Sequence, residues 1–128
     1  MKQQIKNIVA QILYLDDSAA IADDASLFLD LNMSSIDYVD LCFELKEHLR
    51  DSITLDNLWP FNRMLLDPQL YAEAAWTAQG WQEVCRVMGW REEEAQKEQK
   101  ALLTDMNALY AHFCVNYIAR RIEQLEHA

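Results

Sequence analysis

The chain has 128 residues and a formal net charge of −10, and it contains only two glycines and two prolines. This length fits one domain, and an acidic chain without a Lys/Arg cluster excludes a typical nucleic-acid-binding surface. Gly80 and Gly89 are too few for a G-x-G-x-x-G loop and too far apart for a Walker A loop, so those nucleotide-binding folds are excluded. The shortage of chain breakers predicts an all-α protein.

Residues 2–15 are the first predicted helix. Its apolar residues repeat at the spacing of one buried stripe, and they are Ile5, Ile8, Val9 and Ile12. No small-residue cleavage site follows, so we expect a helix of the mature protein and not an export signal. No stretch reaches 18 apolar residues, so we expect no membrane insertion. Residues 16–26 are predicted to be a polar loop anchored by Ile21.

The segment 34–50 is predicted to be the second main helix, and it has two apolar stripes. The core stripe consists of Tyr38, Leu41, Cys42, Leu45 and Leu49. The second stripe, which a core does not require, consists of Ile36, Val39 and Phe43, and the acidic residues beside it are Asp37, Asp40, Glu44 and Glu47. An apolar strip edged by carboxylates fits a docking face for a partner with a basic-rimmed groove. The alternative is that Ile36 and Phe43 pack against the loops at either end.

Residues 51–60 are predicted to be a loop pinned to the core by the Trp59–Pro60–Phe61 segment. Asp67 and Pro68 are typical of a helix start, so we expect a helix over 67–79. A short helix over 81–88 is expected to follow Gly80. Gly89 is in the right place to end that helix.

The four tryptophans lie between residues 59 and 90, and they are Trp59, Trp76, Trp81 and Trp90. We expect them to form a second core against the first two helices; the alternative is a surface that covers a partner or cargo. Residues 92–127 lack Gly and Pro and predict one long amphipathic helix packed on the rest of the chain. The alternative is that this helix pairs with a second copy of the chain.

Upstream of the second helix, the chain reads Leu29-Asp30-Leu31-Asn32-Met33-Ser34-Ser35-Ile36-Asp37. This segment resembles the modification site of acyl and peptidyl carrier proteins, in which a serine at the start of the second helix receives phosphopantetheine from coenzyme A. The resemblance places Ser35 on that serine and extends back through the first helix, so that it covers about residues 1–50. It implies an acyl-carrier-like helical bundle over 1–90, diverged from residue 51, with additional C-terminal helices over 91–128.

Two residues depart from the usual carrier pattern. Asn32 stands where the family usually has glycine, and Asn tolerates the left-handed conformation better than most residues. Ser34 stands where the family usually has an acid. Peptidyl-type carriers often lack that acid, so the departure favours an aminoacyl or specialised acyl cargo.

The resemblance implies a non-catalytic carrier that holds an acyl or aminoacyl group as a thioester on the phosphopantetheine arm of Ser35. The implied partners are a phosphopantetheinyl transferase, an adenylating acyl or amino-acid ligase, and a downstream transferase or synthase. They would meet the residues of the second stripe and the acids beside it. The alternative is a helical adaptor that keeps the carrier fold without the modification.

No residue pattern predicts an enzyme or a metal site. Glu-x-x-His pairs are absent, and His112 and Cys114 do not share a helix face. A Ser-His-Asp site could only form from distant residues. The odd number of widely spaced cysteines predicts buried reduced thiols, which fits a cytoplasmic protein.

Overall fold

A computed structural model of the chain describes residues 1–91 and 97–126 and shows a helical protein with one small hairpin. The all-α prediction is therefore confirmed. In chain order the elements are α1 (Lys2–Leu13), a 3-10 turn (Ser18–Ala20), α2 (Ser35–His48), α3 (Leu55–Leu58), α4 (Phe61–Met64), β1 (Tyr71–Ala72), β2 (Ala75–Trp76), α5 (Ala78–Met88), α6 (Lys97–Leu102), α7 (Met106–Tyr110) and α8 (Val115–Glu126).

The first half of the chain follows the sequence pattern closely. α1 and α2 lie within two residues of their predicted bounds and pack on each other. The predicted anchor Ile21 is buried, and so are Trp59 and Phe61, which fix the end of the 51–60 loop to the core. This loop also contains α3, because Thr54 caps a short helix by accepting a hydrogen bond from the Asn57 amide at 3.1 Å.

The predicted helix over 67–79 is wrong, because this segment forms a turn and a hairpin. Asp67 Oδ1 accepts a hydrogen bond from the Gln69 amide, which makes a turn in place of a helix cap. β1 and β2 then pair antiparallel. The Trp76 side chain is buried, and its indole N–H donates to the Leu103 carbonyl at 2.9 Å. This long-range burial of Trp76 overrides the local helix signal.

The predicted single helix over 92–127 is also wrong, since the described part contains α6, α7 and α8. Residues far away in the sequence donate hydrogen bonds to backbone carbonyls at both breaks. Trp76 binds the Leu103 carbonyl between α6 and α7, and the Leu27 amide binds the Phe113 carbonyl at 2.9 Å between α7 and α8. A carbonyl that accepts a hydrogen bond from a distant residue is turned away from the next helical turn, which is consistent with a helix break at Leu103 and at Phe113. Residues 92–96 and 127–128 of that prediction lie outside the described residues.

One hydrophobic core joins the two ends of the described chain. α8 packs against α1, α3 and α5, and it buries Tyr117, Ile118 and Ile122 completely. Trp59 meets Tyr117 edge-to-face at 5.2 Å between ring centroids, and Trp90 meets His112 at 5.1 Å, so tryptophans of this region contact the C-terminal part of the chain. The expected packing of the tryptophans on α1 and α2 stays a prediction. The boundary proposed at residues 90 and 91, and pairing between copies, stay predictions.

Candidate functional site

Ser34 and Ser35 begin α2, and the structure gives them different roles. Ser34 is the N-cap: its Oγ accepts a hydrogen bond from the Asp37 amide at 3.1 Å, and Asp37 Oδ2 accepts from the Ser34 amide at 2.9 Å. This reciprocal pair is a capping box. Ser35 is the first helical residue and is exposed, and its hydroxyl forms no hydrogen bond within the described chain.

The loop before α2 reaches Ser35 through a left-handed residue. Asn32 has a φ of 57°, which confirms that asparagine takes the conformation for which glycine is usually needed. Next to it, Met33 is buried and donates its amide to the Leu27 carbonyl at 2.9 Å. This hydrogen bond closes the turn and fixes the direction in which the chain enters α2 at Ser34 and Ser35.

Ser26 holds this loop to the C-terminal part of the chain. Its buried hydroxyl donates to the Tyr110 carbonyl at 2.7 Å and accepts from the Leu29 amide at 3.1 Å. The Ser26 amide donates to Asp30 Oδ2 at 2.8 Å. The Asp30 carboxylate therefore stabilises the loop through this hydrogen bond.

An aromatic cluster supports the loop from below. The Phe28 ring lies 4.3 Å from Tyr110 and 5.1 Å from Phe113, measured between ring centroids. Sequence reasoning missed these support residues, including Ser26. They meet across 84 positions of the chain, and no local pattern signals such a contact.

The second apolar stripe of α2 is on the surface. Ile36 is 73% exposed, Val39 48% and Phe43 59%. These values contradict the alternative in which Ile36 and Phe43 pack against loops. Beside the stripe, Asp40 and Glu47 are exposed.

Two of the acidic residues beside the stripe already have partners on α2. Glu44 is half-buried and lies 3.1 Å from the His48 ring nitrogen. Asp37 is half-buried in the capping box. The structure therefore presents Asp40 and Glu47 more freely than the other two carboxylates.

Phe43 stands between two clefts. On one side, a mainly apolar cleft of about 270 Å³ lies between α2 and the segment that contains Ile53 and Leu55. On the other, a cleft of about 190 Å³ lies between α2 and the end of α1, next to Tyr14 and Asp40. An aromatic side chain raised between two hollows can contact a partner surface on both flanks.

The cysteines do not provide a reactive thiol at this site. Cys42 is buried on the core side of α2, and burial raises its pKa to about 11. Its thiol is therefore protonated at neutral pH and is a poor nucleophile. Cys85 and Cys114 are buried as well, and none of the three forms a disulfide, as predicted. A thiol for acyl transfer would have to come from an added group.

Comparison with known families adds one finding. Residues 3–62 match the family model described as the phosphopantetheine attachment site. The match runs from α1 into α4 and includes the Asn32 turn and all of α2. The match covers 60 of the 128 residues, and residues 3–62 are here called the attachment domain. Such a domain is the site of covalent phosphopantetheine attachment, consistent with an acyl or peptidyl carrier protein. No curated protein and no solved structure matches the sequence.

The attachment domain extends beyond the region in which the motif alone is convincing. The resemblance to carrier proteins in the sequence covers about residues 1–50, whereas the family match continues through α3 to residue 62. Its residues also fit the group. An exposed hydroxyl at the start of a 14-residue helix can be esterified by phosphopantetheine, and the helix N-terminus favours the negative charge of the resulting phosphodiester.

Two further kinds of feature, a metal cluster and a membrane span, are missing from the described part of the chain. Among residues 1–91 and 97–126, no group of three or more His, Cys, Asp or Glu side chains could hold a metal ion. None of the helices described there has the length and apolar character needed to cross a bilayer.

Proposed function

We propose that this protein is a carrier whose Ser35 is phosphopantetheinylated and presents an acyl or aminoacyl thioester to partner enzymes. The observation that supports this proposal is the Ser35 hydroxyl, which is exposed and forms no hydrogen bond within the described chain, at the start of α2 inside the attachment domain. The bound group supplies a thiol at the end of a flexible arm. The chain itself contributes the attachment oxygen, the helix that favours the phosphodiester, and the surface that partners bind.

Ser35 is a better attachment residue than Ser34 for a geometric reason. The Ser34 hydroxyl accepts the Asp37 amide hydrogen, and modification there would remove the cap of α2. The Ser35 hydroxyl does not cap the helix. Modification of Ser35 therefore leaves α2 intact.

The partners would bind along α2 next to the modified serine. Attachment domains work with phosphopantetheinyl transferases and with enzymes that load and unload the arm. Ile36, Val39 and Phe43 supply exposed apolar area, and the carboxylates beside them attract a basic rim. Such a surface binds several enzymes weakly and in turn, since charge raises the association rate more than the affinity.

The cargo belongs to the same proposal. Ser34 replaces the acid that usually precedes the modified serine, and this favours an aminoacyl or specialised acyl group loaded by an adenylating ligase. Unloading would fall to a transferase or synthase. With its cysteines buried and not joined in disulfides, the chain fits a reducing compartment such as the cytoplasm.

The test is intact-protein mass spectrometry after incubation with coenzyme A and a promiscuous phosphopantetheinyl transferase. We expect one added phosphopantetheine on the wild type and on Ser34→Ala, and none on Ser35→Ala. The two serines are adjacent, so Ser34→Ala is a matched control. Urea denaturation should show Ser34→Ala less stable by about 1 kcal/mol, the usual cost of an N-cap, and Ser35→Ala nearly unchanged.

Two results would contradict the proposal. An adduct that survives in Ser35→Ala would place the modification elsewhere. A folded wild-type chain that takes up no phosphopantetheine would favour the unmodified helical adaptor.

A further inference from the structure

Three arginines converge on one pocket away from Ser35. The pocket, here called the basic pocket, has a volume of about 380 Å³, and its lining includes Arg63, Arg86 and Arg121. These are three of the eleven Lys and Arg residues in the chain. The acidic residues of its wall are Asp67 and Glu83, so the lining carries +1 (three cations less two anions) in a chain of net charge −10.

Arg121 is a buried cation without a matching anion. It is 6% exposed, and its Nε donates to the Asn57 carbonyl at 2.8 Å while Nη1 donates to Gln124 Oε1 at 2.9 Å. Both acceptors are neutral. Among the described residues, no carboxylate lies within ion-pair distance of it. A buried charge is costly unless an opposite charge compensates it, so this position favours an anion from outside the chain.

Glu83 only partly satisfies the three cations. Its carboxylate forms an ion pair with Arg86 one turn along α5. The Arg86 guanidinium lowers the pKa of Glu83, and the charges of Arg121 and Arg63 act in the same direction. Arg63 is exposed and has no ion pair within the described chain. Two carboxylates, Glu83 and Asp67, therefore line the pocket with three arginines, and only Glu83 forms an ion pair with one of them among the described residues, which leaves donors for a further anion.

The remaining wall indicates the kind of anion. Pro60, Met64 and Leu70 give the pocket an apolar side next to the guanidinium groups. Guanidinium groups bind the oxygens of carboxylates and phosphates through paired hydrogen bonds. A volume of this size suits a small organic molecule.

We propose that the basic pocket binds a small organic anion, with its carboxylate or phosphate group between the guanidinium groups and its apolar part against Pro60, Met64 and Leu70. The pocket includes none of α2 and lies partly outside the attachment domain, which ends at residue 62. Binding there does not depend on modification of Ser35. The proposal therefore adds a ligand site to the carrier.

The experiment is an NMR titration of the full chain at constant ionic strength with hexanoate, hexyl phosphate and acetate. We expect saturable shifts at the arginine side chains and the amides of the basic pocket. Hexanoate should bind more tightly than acetate because only hexanoate reaches the apolar wall. The tighter of hexanoate and hexyl phosphate identifies the preferred head group.

Two variants separate a built site from general charge attraction. Arg63→Gln should weaken binding about tenfold, since one charged donor is lost from an exposed position that the fold does not need. Glu83→Gln should tighten binding by about threefold or more, because the competing carboxylate is removed. Lys46→Gln, on α2, is the control for loss of one positive charge and should leave the affinity unchanged.

Several outcomes would overturn the proposal. Shifts that do not saturate, or that spread over other surfaces, would show that no such site exists. Equal binding of acetate and hexanoate would remove the apolar contact. Unchanged affinity in Glu83→Gln would show that the three arginines do not share one ligand position.

Discussion

Gly80 shows how a single residue decides the local structure. It lies inside α5, and a β-carbon added there would come 1.8 Å from the Leu70 carbonyl oxygen. That carbonyl is fixed in place, since the Thr77 amide donates to it at 2.9 Å and the Thr77 hydroxyl at 3.1 Å. The glycine permits contact between α5 and the turn before the hairpin. It does not separate two helices, as the sequence had suggested.

Gly80→Ala should therefore destabilise the protein by about 3 kcal/mol, the upper end for a side chain forced into a packed interior. Gly89→Ala is the comparison. Gly89 ends α5 at a φ of 75°, and a β-carbon added there would meet only the flexible Arg120 side chain. Its cost should be about 1 kcal/mol, that of a left-handed alanine. Urea denaturation followed by tryptophan fluorescence measures both. Equal losses in the two variants would contradict the steric explanation.

At the scale of elements, α2 is the one on which most of the proposed function rests. Its bounds, its cap and its two stripes could be read from the sequence, because capping and helical periodicity depend on residues three or four positions apart. The sequence predicts a docking face on the second stripe but leaves open whether Ile36 and Phe43 pack against loops, and only their exposure in the structure decides this. Burial depends on what the rest of the chain brings to that side.

Reversal of charge on α2 tests the docking surface. Asp40→Lys with Glu47→Lys should slow phosphopantetheine transfer to Ser35 about tenfold at low salt, and the effect should shrink as salt screens it. The measurement is the initial rate of adduct formation at several ionic strengths. Asp16→Lys with Glu123→Lys makes the same change in net charge at exposed positions on other elements. If this control slows loading equally, overall charge and not the α2 surface is responsible.

The hairpin and the broken C-terminal helices mark the limit of prediction from sequence. Both depend on hydrogen bonds between distant residues, such as Trp76 to the Leu103 carbonyl and Leu27 to the Phe113 carbonyl. Local propensity favoured a helix in each place. Tertiary contacts outweighed it, as they commonly do when a large side chain can be buried.

At the scale of the whole molecule, the attachment domain shares its core with the C-terminal helices. Phe113 is completely buried, and its ring meets Phe28 and Trp59 at 5.1 Å each. These two residues come from the loop before α2 and from the loop before α4. Phe113 therefore connects the support of Ser35 with the rest of the fold.

Phe113→Ala should cost about 3–5 kcal/mol, the usual loss for a buried phenylalanine. It should also slow loading at Ser35, because the loop that orients α2 loses its support. Leu102→Ala removes an apolar side chain that is 66% exposed and should change stability little. Urea denaturation and the rate of adduct formation test the two effects. A Phe113→Ala protein with wild-type stability would show that the cavity is refilled at no cost.

The contact between Ser26 and Tyr110 also has a consequence for the order of events during synthesis. The ribosome makes the serine motif early, yet the hydroxyl that steadies its loop must wait for a carbonyl 84 residues later. A nascent chain that ends before Tyr110 displays Ser35 on an unfinished loop. We expect a phosphopantetheinyl transferase to act poorly on chains stalled before Tyr110, so that only chains synthesised past that residue would be modified.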